Sequence, residues 1–237
     1  MSKSIVIVGP AYPLRGGLAT YNQLLATKLQ EQGHSVRIVT FSLQYPNILF
    51  PGKTQYSTDI KPENIEIEVS LNSVNPLNWL SLGNTLRKEK PDLVIFRYWM
   101  PFMGPSLGTL GRIIRKNKHT KVVTIADNII PHEKRFFDTP FTKYFVNSCD
   151  GFVTMSESVL EDLKQFDSTK PVAYNPHPMY ESFGPQLDKA DARKKLGLAE
   201  NGKYLLSFGF IRKYKGLDIL LRAFADKRIQ ESGIKLI

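Results

Sequence analysis

The sequence predicts an α/β protein: a Rossmann-like, doubly wound parallel sheet, then an incomplete second Rossmann-like domain. Three observations carry this. Short β-branched runs alternate with longer segments of helical periodicity from the first residues onward. The turn after the first run holds Gly16 and Gly17 just ahead of a helix, where doubly wound sheets bind ligands beyond the strand carboxyl ends. The same strand, glycine and helix order then restarts after a proline-rich stretch.

Residues 5–8, Ile-Val-Ile-Val, read as a buried first strand ended by Gly9-Pro10. Residues 18–32 follow as a helix, with Leu18, Tyr21, Leu25 and Leu29 at helical spacing and Gly33 as its stop. Residues 36–41 form the second strand. A long segment rich in Pro, Asn and Ser then reaches the next clear strand at 93–96, which suggests an insertion with short strands of its own, such as 65–69. Beyond it come a helix at 108–118, a strand at 121–125, a helix at 139–148, a strand at 152–155, a helix at 156–166 and a closing strand at 172–174. Asn175-Pro176-His177-Pro178 and Phe183-Gly184-Pro185 have the stiff backbone of a linker, so the domains are set at 1–185 and 186–237. The second begins with a helix at 190–196, a strand at 204–208 and a helix at 217–224, and 234–237 starts a further strand. About fifty residues are too few for an independent Rossmann-like core, so this domain is expected to be cut short.

Composition bounds the function. The 42% apolar and 23% charged residues are ordinary globular usage, without repeats or low-complexity tracts. The apolar stretch behind Met1-Ser2-Lys3-Ser4 is too short for a signal sequence or a membrane span, and the single cysteine, Cys149, suits a reducing compartment. The expected location is cytoplasmic, peripheral to the inner face of the membrane at most. A net charge of +10 attracts anions: phosphates, an acidic bilayer face or nucleic acid. Nucleic acid is disfavoured as a partner because no helix-turn-helix, RNA-binding sheet signature or zinc spacing is present.

Two loops could carry chemistry. Gly16 and Gly17 would let backbone N–H groups and a helix N-terminus approach a phosphate, although tight-turn geometry explains them equally well. Their spacing is neither that of a dinucleotide fingerprint nor that of a P-loop, which disfavours an oxidoreductase. The segment Gly209-Phe210-Ile211-Arg212-Lys213-Tyr214-Lys215-Gly216 places three cations between a strand and a helix. Arg212 would offer a bidentate fork and Lys215 a point charge to a diphosphate leaving group; a solvated basic loop is the plainer reading.

The strand and Gly-Gly loop at 5–17, Asn128-Ile129-Ile130-Pro131-His132-Glu133, Val153-Thr154-Met155-Ser156-Glu157-Ser158 and Phe208 to Asp218, taken in order, resemble glycosyltransferase family 4 of the GT-B fold. The resemblance spans nearly the whole chain. It implies a retaining hexosyltransferase that uses a UDP- or GDP-linked sugar and needs no metal or other cofactor. Its acceptor would be a sugar or lipid-linked hydroxyl in cell-surface polysaccharide or glycolipid synthesis. On this resemblance Gly16 and Gly17 approach the donor phosphates from one side, Arg212 and Lys215 grip them from the other, and His132 lies by the transferred sugar. Many members carry an Arg directly after the glycine where this chain has Phe210, so Arg212 stands two residues displaced. The family's pair of second-domain glutamates has no counterpart before Ile237. The alternative is therefore a non-catalytic acceptor-binding half or a fragment without activity of its own.

Remaining candidates read more plainly. No Cys or His pair has metal-ligand spacing. Ser158 and Glu161 form a helix capping box rather than a nucleophile site. Arg112, Arg115, Lys116 and His119 make a basic helical stripe that would suit anionic lipid or simply complement the helix dipole.

Overall fold

The computed structural model describes residues 1–46, 54–58, 60–131, 133, 135–179, 184–209, 211 and 213–237 of the 237-residue chain. These form two compact units, Met1–His177 and Pro178–Ile237.

The first unit runs β1 (Ser4–Val8), α1 (Gly17–Glu31), β2 (Ser35–Leu43), β3 (Glu66–Asn72), α2 (Pro76–Glu89), β4 (Leu93–Tyr98), a 3₁₀ turn (Pro101–Met103), α3 (Gly104–Arg115), β5 (Lys121–Ala126), α4 (Asp138–Val146), β6 (Gly151–Thr154), α5 (Glu157–Lys164) and β7 (Val172–Tyr174). Its seven strands are all parallel in the order β3-β2-β1-β4-β5-β6-β7. A parallel sheet is buried on both faces, so its strands are continuous apolar runs. Along β1, Ile5 and Ile7 join Tyr21, Leu25 and Ala26 of α1 on one face, while Val6 and Val8 pack on the other with Leu86 of α2, Leu107 and Leu110 of α3 and Phe145 of α4. The strand order reverses between β1 and β4. That switch point opens a crevice at their carboxyl ends, where open α/β sheets bind ligands.

Helices α3 and α4 meet through glycines. A Cβ on Gly104 would lie 2.5 Å from the Phe141 carbonyl oxygen, and one on Gly111 would lie 2.9 Å from that of Ser148. The backbones approach so closely that neither position admits a larger residue without displacement.

The expected elements are present, with corrections. The segment before β4 does hold a strand near the expected 65–69, β3, and among its described residues it also holds a full helix, α2, which was not expected. Asn75 caps α2 by accepting hydrogen bonds from the backbone N–H of Leu77 (3.0 Å) and Asn78 (3.3 Å), and Pro76 occupies the first turn. Helix α3 begins at Gly104, four residues before the expected 108, because Pro105 also suits a first turn. The cap of α5 is Ser156, whose Oγ accepts from Val159 N at 3.3 Å; Ser158 lies inside the helix, and Glu161 pairs with Lys164.

The second unit holds α6 (Lys189–Lys195), β8 (Lys203–Leu205), a 3₁₀ turn (Lys213–Lys215), α7 (Leu217–Phe224), α8 (Lys227–Glu231) and β9 (Ile234–Leu236), with β8 and β9 paired in parallel. None of its described residues is buried. The division after His177 falls just past β7, where Asn175 N makes a hydrogen bond to the Thr154 carbonyl.

Candidate functional site

The crevice of the first unit is built where β1 and β4 end. A Cβ on Gly9 would stand 2.7 Å from Arg97 Cβ and 2.8 Å from Asn22 Nδ2, so only glycine lets β1 leave the sheet here. The following loop is held from several sides. Ala11 N donates to Thr40 Oγ1 (2.9 Å), Asn22 Nδ2 to the Pro10 carbonyl (2.8 Å) and Tyr12 N to Gln23 Oε1 (2.9 Å). Residues 54–57 brace its far side, with Arg15 N donating to the Gln55 carbonyl and Ser57 N to that of Pro13. The loop ends at Gly16, whose φ of 119° is open to glycine and strained for other residues. Gly17 starts α1 directly behind this loop. The dipole of α1 therefore brings partial positive charge to this end of the loop.

Beside this loop lies a charged pair that the reading of the sequence missed. Arg97, at the end of β4, is 1% exposed. Its Nε donates to Asp127 Oδ2 at 2.6 Å, its Nη2 donates to Asp127 Oδ1, and its guanidinium lies 3.9 Å from the Tyr21 ring centroid. Tyr21 in turn meets the ring of His177 edge-on at 5.5 Å. Burial pushes the Asp127 carboxyl up, and the attraction of Arg97 only partly offsets it. The signal was available: Arg97 is the one charged residue in Leu93–Tyr98, a strand otherwise read as a buried apolar run. Next to it Trp99 Nε1 donates to Tyr45 Oη at 2.6 Å, and burial raises the Tyr45 hydroxyl above its ordinary pKa.

His132 lies outside the described residues, as does Arg212. The stretch flanking His132 contributes Ile129, Ile130, Pro131 and Arg135 to a pocket of about 380 Å³ closed by Thr139 and Lys143 of α4 and by Phe166. In the second unit Lys215 ends a 3₁₀ turn directly before Gly216, whose φ of 68° starts α7. The Lys215 Nζ is folded onto Gly209: a Cβ there would lie 3.0 Å from it, and Gly209 itself has a φ of 126°. Gly209, Tyr214, Lys215 and Leu217 share a pocket of about 640 Å³ with Ser207 and Phe208. Gly16 and Gly17 thus belong to the first unit and Lys215 to the second, each at the carboxyl end of a parallel strand.

The basic stripe of α3 is engaged within the protein. Arg112 donates to the carbonyls of Gly108 (2.8 Å) and Tyr144 (2.6 Å), and Arg115 pairs with Asp150 at 2.9 Å. Both arginines thereby reach the carboxyl end of α4, while Lys116 stays exposed. Cys149 is fully buried, and burial pushes its thiol up to about 11, which leaves it inert. Among the described residues no group of three His, Cys, Asp or Glu could hold a metal ion, and no helix is long and apolar enough to cross a membrane.

Comparison with known proteins bears on this geometry. The structure is similar to a glycosyltransferase from Rickettsia africae, at 16% identity and a TM-score of 0.62 over all of this chain and 68% of that one. It is also similar to the catalytic domain of starch synthase IV from Arabidopsis thaliana bound to ADP and acarbose, at 11% identity and a TM-score of 0.61, again over all of this chain and 68% of that one. A UDP-N-acetylglucosamine 2-epimerase from Rickettsia bellii matches at 15% identity and a TM-score of 0.54, with the same coverage. The chain therefore spans about two thirds of the length of these proteins, and at such identities the shared feature is the GT-B fold. No curated protein matches the chain significantly by sequence. Residues 15–178 match the family model of Glycosyltransferase Family 4, and the chain belongs to that family.

Proposed function

We propose that the protein transfers a hexosyl unit from a UDP- or GDP-linked sugar to an acceptor hydroxyl with retention of configuration, in the assembly of cell-surface polysaccharide or glycolipid. The observation that carries this reading is the family match over residues 15–178, which takes in the glycine loop, the switch-point crevice and the last strand of the first unit. The diphosphate would leave against Lys215, with Arg212 as its second cation, and against the N-terminus of α1 behind Gly16 and Gly17. Helix N-termini and cations can stabilise that charge without a bound metal. His132 is assigned to the neighbourhood of the transferred sugar. The acceptor would be a sugar or a lipid-linked sugar, reached from the cytoplasmic side, with Lys116, the member of the α3 stripe left exposed, facing an anionic bilayer.

Calorimetric titration with UDP and with GDP tests the reading. One nucleotide should bind, and Lys215→Ala should weaken it about tenfold, the loss of one charge-assisted contact. A chain that binds neither nucleotide would sink the donor-site assignment. A second reading, an acceptor-binding module without activity of its own, is favoured by the second unit, in which no described residue is buried. Sugar binding without nucleotide binding would establish it.

A further inference from the structure

The Arg97–Asp127 pair has no role in the reading above, yet it occupies the switch point of the sheet. Removing two charges from water is costly, and a buried ion pair is weak evidence of stabilisation. Two buried polar atoms there have no partner among the described residues: Arg97 Nη1 of the pair itself and Asn22 Oδ1 of α1, whose amide stands beside the Arg97 side chain at Gly9. Unmet buried donors and acceptors in a ligand-binding crevice call for a ligand or water that supplies both. The Asp127 side chain keeps 19% of its surface exposed, so the pair is reachable from the crevice.

We infer that Arg97, Asp127 and Asn22 form a sugar-hydroxyl subsite at the floor of this crevice, with Tyr21 as its apolar wall and His177 at its rim. The inference deepens the transferase reading and rests on it for the kind of ligand. The chemistry follows from the charges. Arg97 and Asp127 cancel, so the site is neutral and does not favour a phosphate, in contrast to the cationic loop around Lys215. It offers N–H donors on Arg97 and oxygen acceptors on Asp127 and Asn22 within one cluster. A pair of neighbouring hydroxyls, each both donor and acceptor, matches that set. Tyr21 lies on the guanidinium and meets the exposed His177 ring edge-on, so the ligand would enter past His177 and along Tyr21 to the exposed edge of Asp127.

The test uses the full chain and three probes, the methyl α-glycosides of glucose, galactose and mannose, followed by saturation-transfer NMR. At least one should bind with millimolar affinity, and its 2-deoxy or 3-deoxy analogue should bind about tenfold more weakly. Replacing the pair by apolar residues of similar size, Arg97→Met with Asp127→Leu, should abolish hexoside binding while leaving the melting temperature unchanged or higher. Asp127→Asn, which keeps the shape, gives a second readout: hexoside binding should fall and inorganic phosphate should bind more tightly than to the wild type. Hexoside binding that survives both changes, or is absent from the wild type, overturns the subsite. If UDP and GDP fail to bind while the hexoside results hold, the donor-site reading falls and the subsite stands.

Discussion

The two units of this chain follow the same strand, glycine-loop and helix order and differ in what covers them. In the first, helices lie on both faces of a seven-stranded sheet, and Ile7, Val8, Phe96 and Phe145 have no exposed surface. In the second, the two paired strands have three residues each, and α7 carries an apolar stripe whose Ile219 and Leu221 are 68% and 54% exposed. A βα pattern sets which face is apolar, and only neighbouring layers turn that face into a core. The first unit therefore supplies rigidity to its crevice. The second presents Lys215 from a segment held by local hydrogen bonds.

The contrast can be broken by substitution. Phe145→Ala should cost about 4 kcal/mol, because the ring stacks on Tyr98 at 4.1 Å and is fully enclosed; thermal unfolding followed by near-ultraviolet circular dichroism measures it. Arg97→Met alone should destabilise by about 3 kcal/mol, since it strands the Asp127 carboxylate beside the crevice, and the same melt reports it. Gly111→Ala should cost about 2 kcal/mol by forcing α3 from Ser148. Leu221→Ala in the second unit should change stability by less than about 0.5 kcal/mol. A cost at Leu221 equal to that at Phe145 would show that the second unit has a core after all. Native-state hydrogen exchange sharpens the comparison: amides of β1 and β4 should exchange only on global unfolding, and those of β8 and β9 far earlier. Cys149 offers a chemical version, since its thiol, raised to about 11 by burial, should resist alkylation near pH 8 until the first unit unfolds.

Much of the fold could be read in the residues. The runs at 5–8, 93–96 and 121–125 became β1, β4 and β5 because a strand buried on both faces must be apolar throughout. Helix α2 was hidden because its apolar residues, Leu77, Trp79, Leu82 and Leu86, are diluted by Asn, Ser and Gly and follow a long polar connection. The candidate site was legible only where it lies on one loop. Gly16 and Gly17 announced themselves by position, and so did the cations around Lys215. Arg97 and Asp127 are thirty residues apart, at the ends of two adjacent strands, and His177 looked like a linker residue between two prolines.

Sequence by itself determined the α/β class, the order of strands and helices, the basic loop before α7 and the family, because these depend on local periodicity, turn chemistry and motif order. Only the tertiary structure decided that the sheet reverses between β1 and β4, that the arginines of α3 reach the end of α4 and that a neutral Arg–Asp pair lines the crevice. Those features arise when strands distant in the chain become neighbours, and the hydrogen bonds and burial that define them do not exist until the sheet has formed.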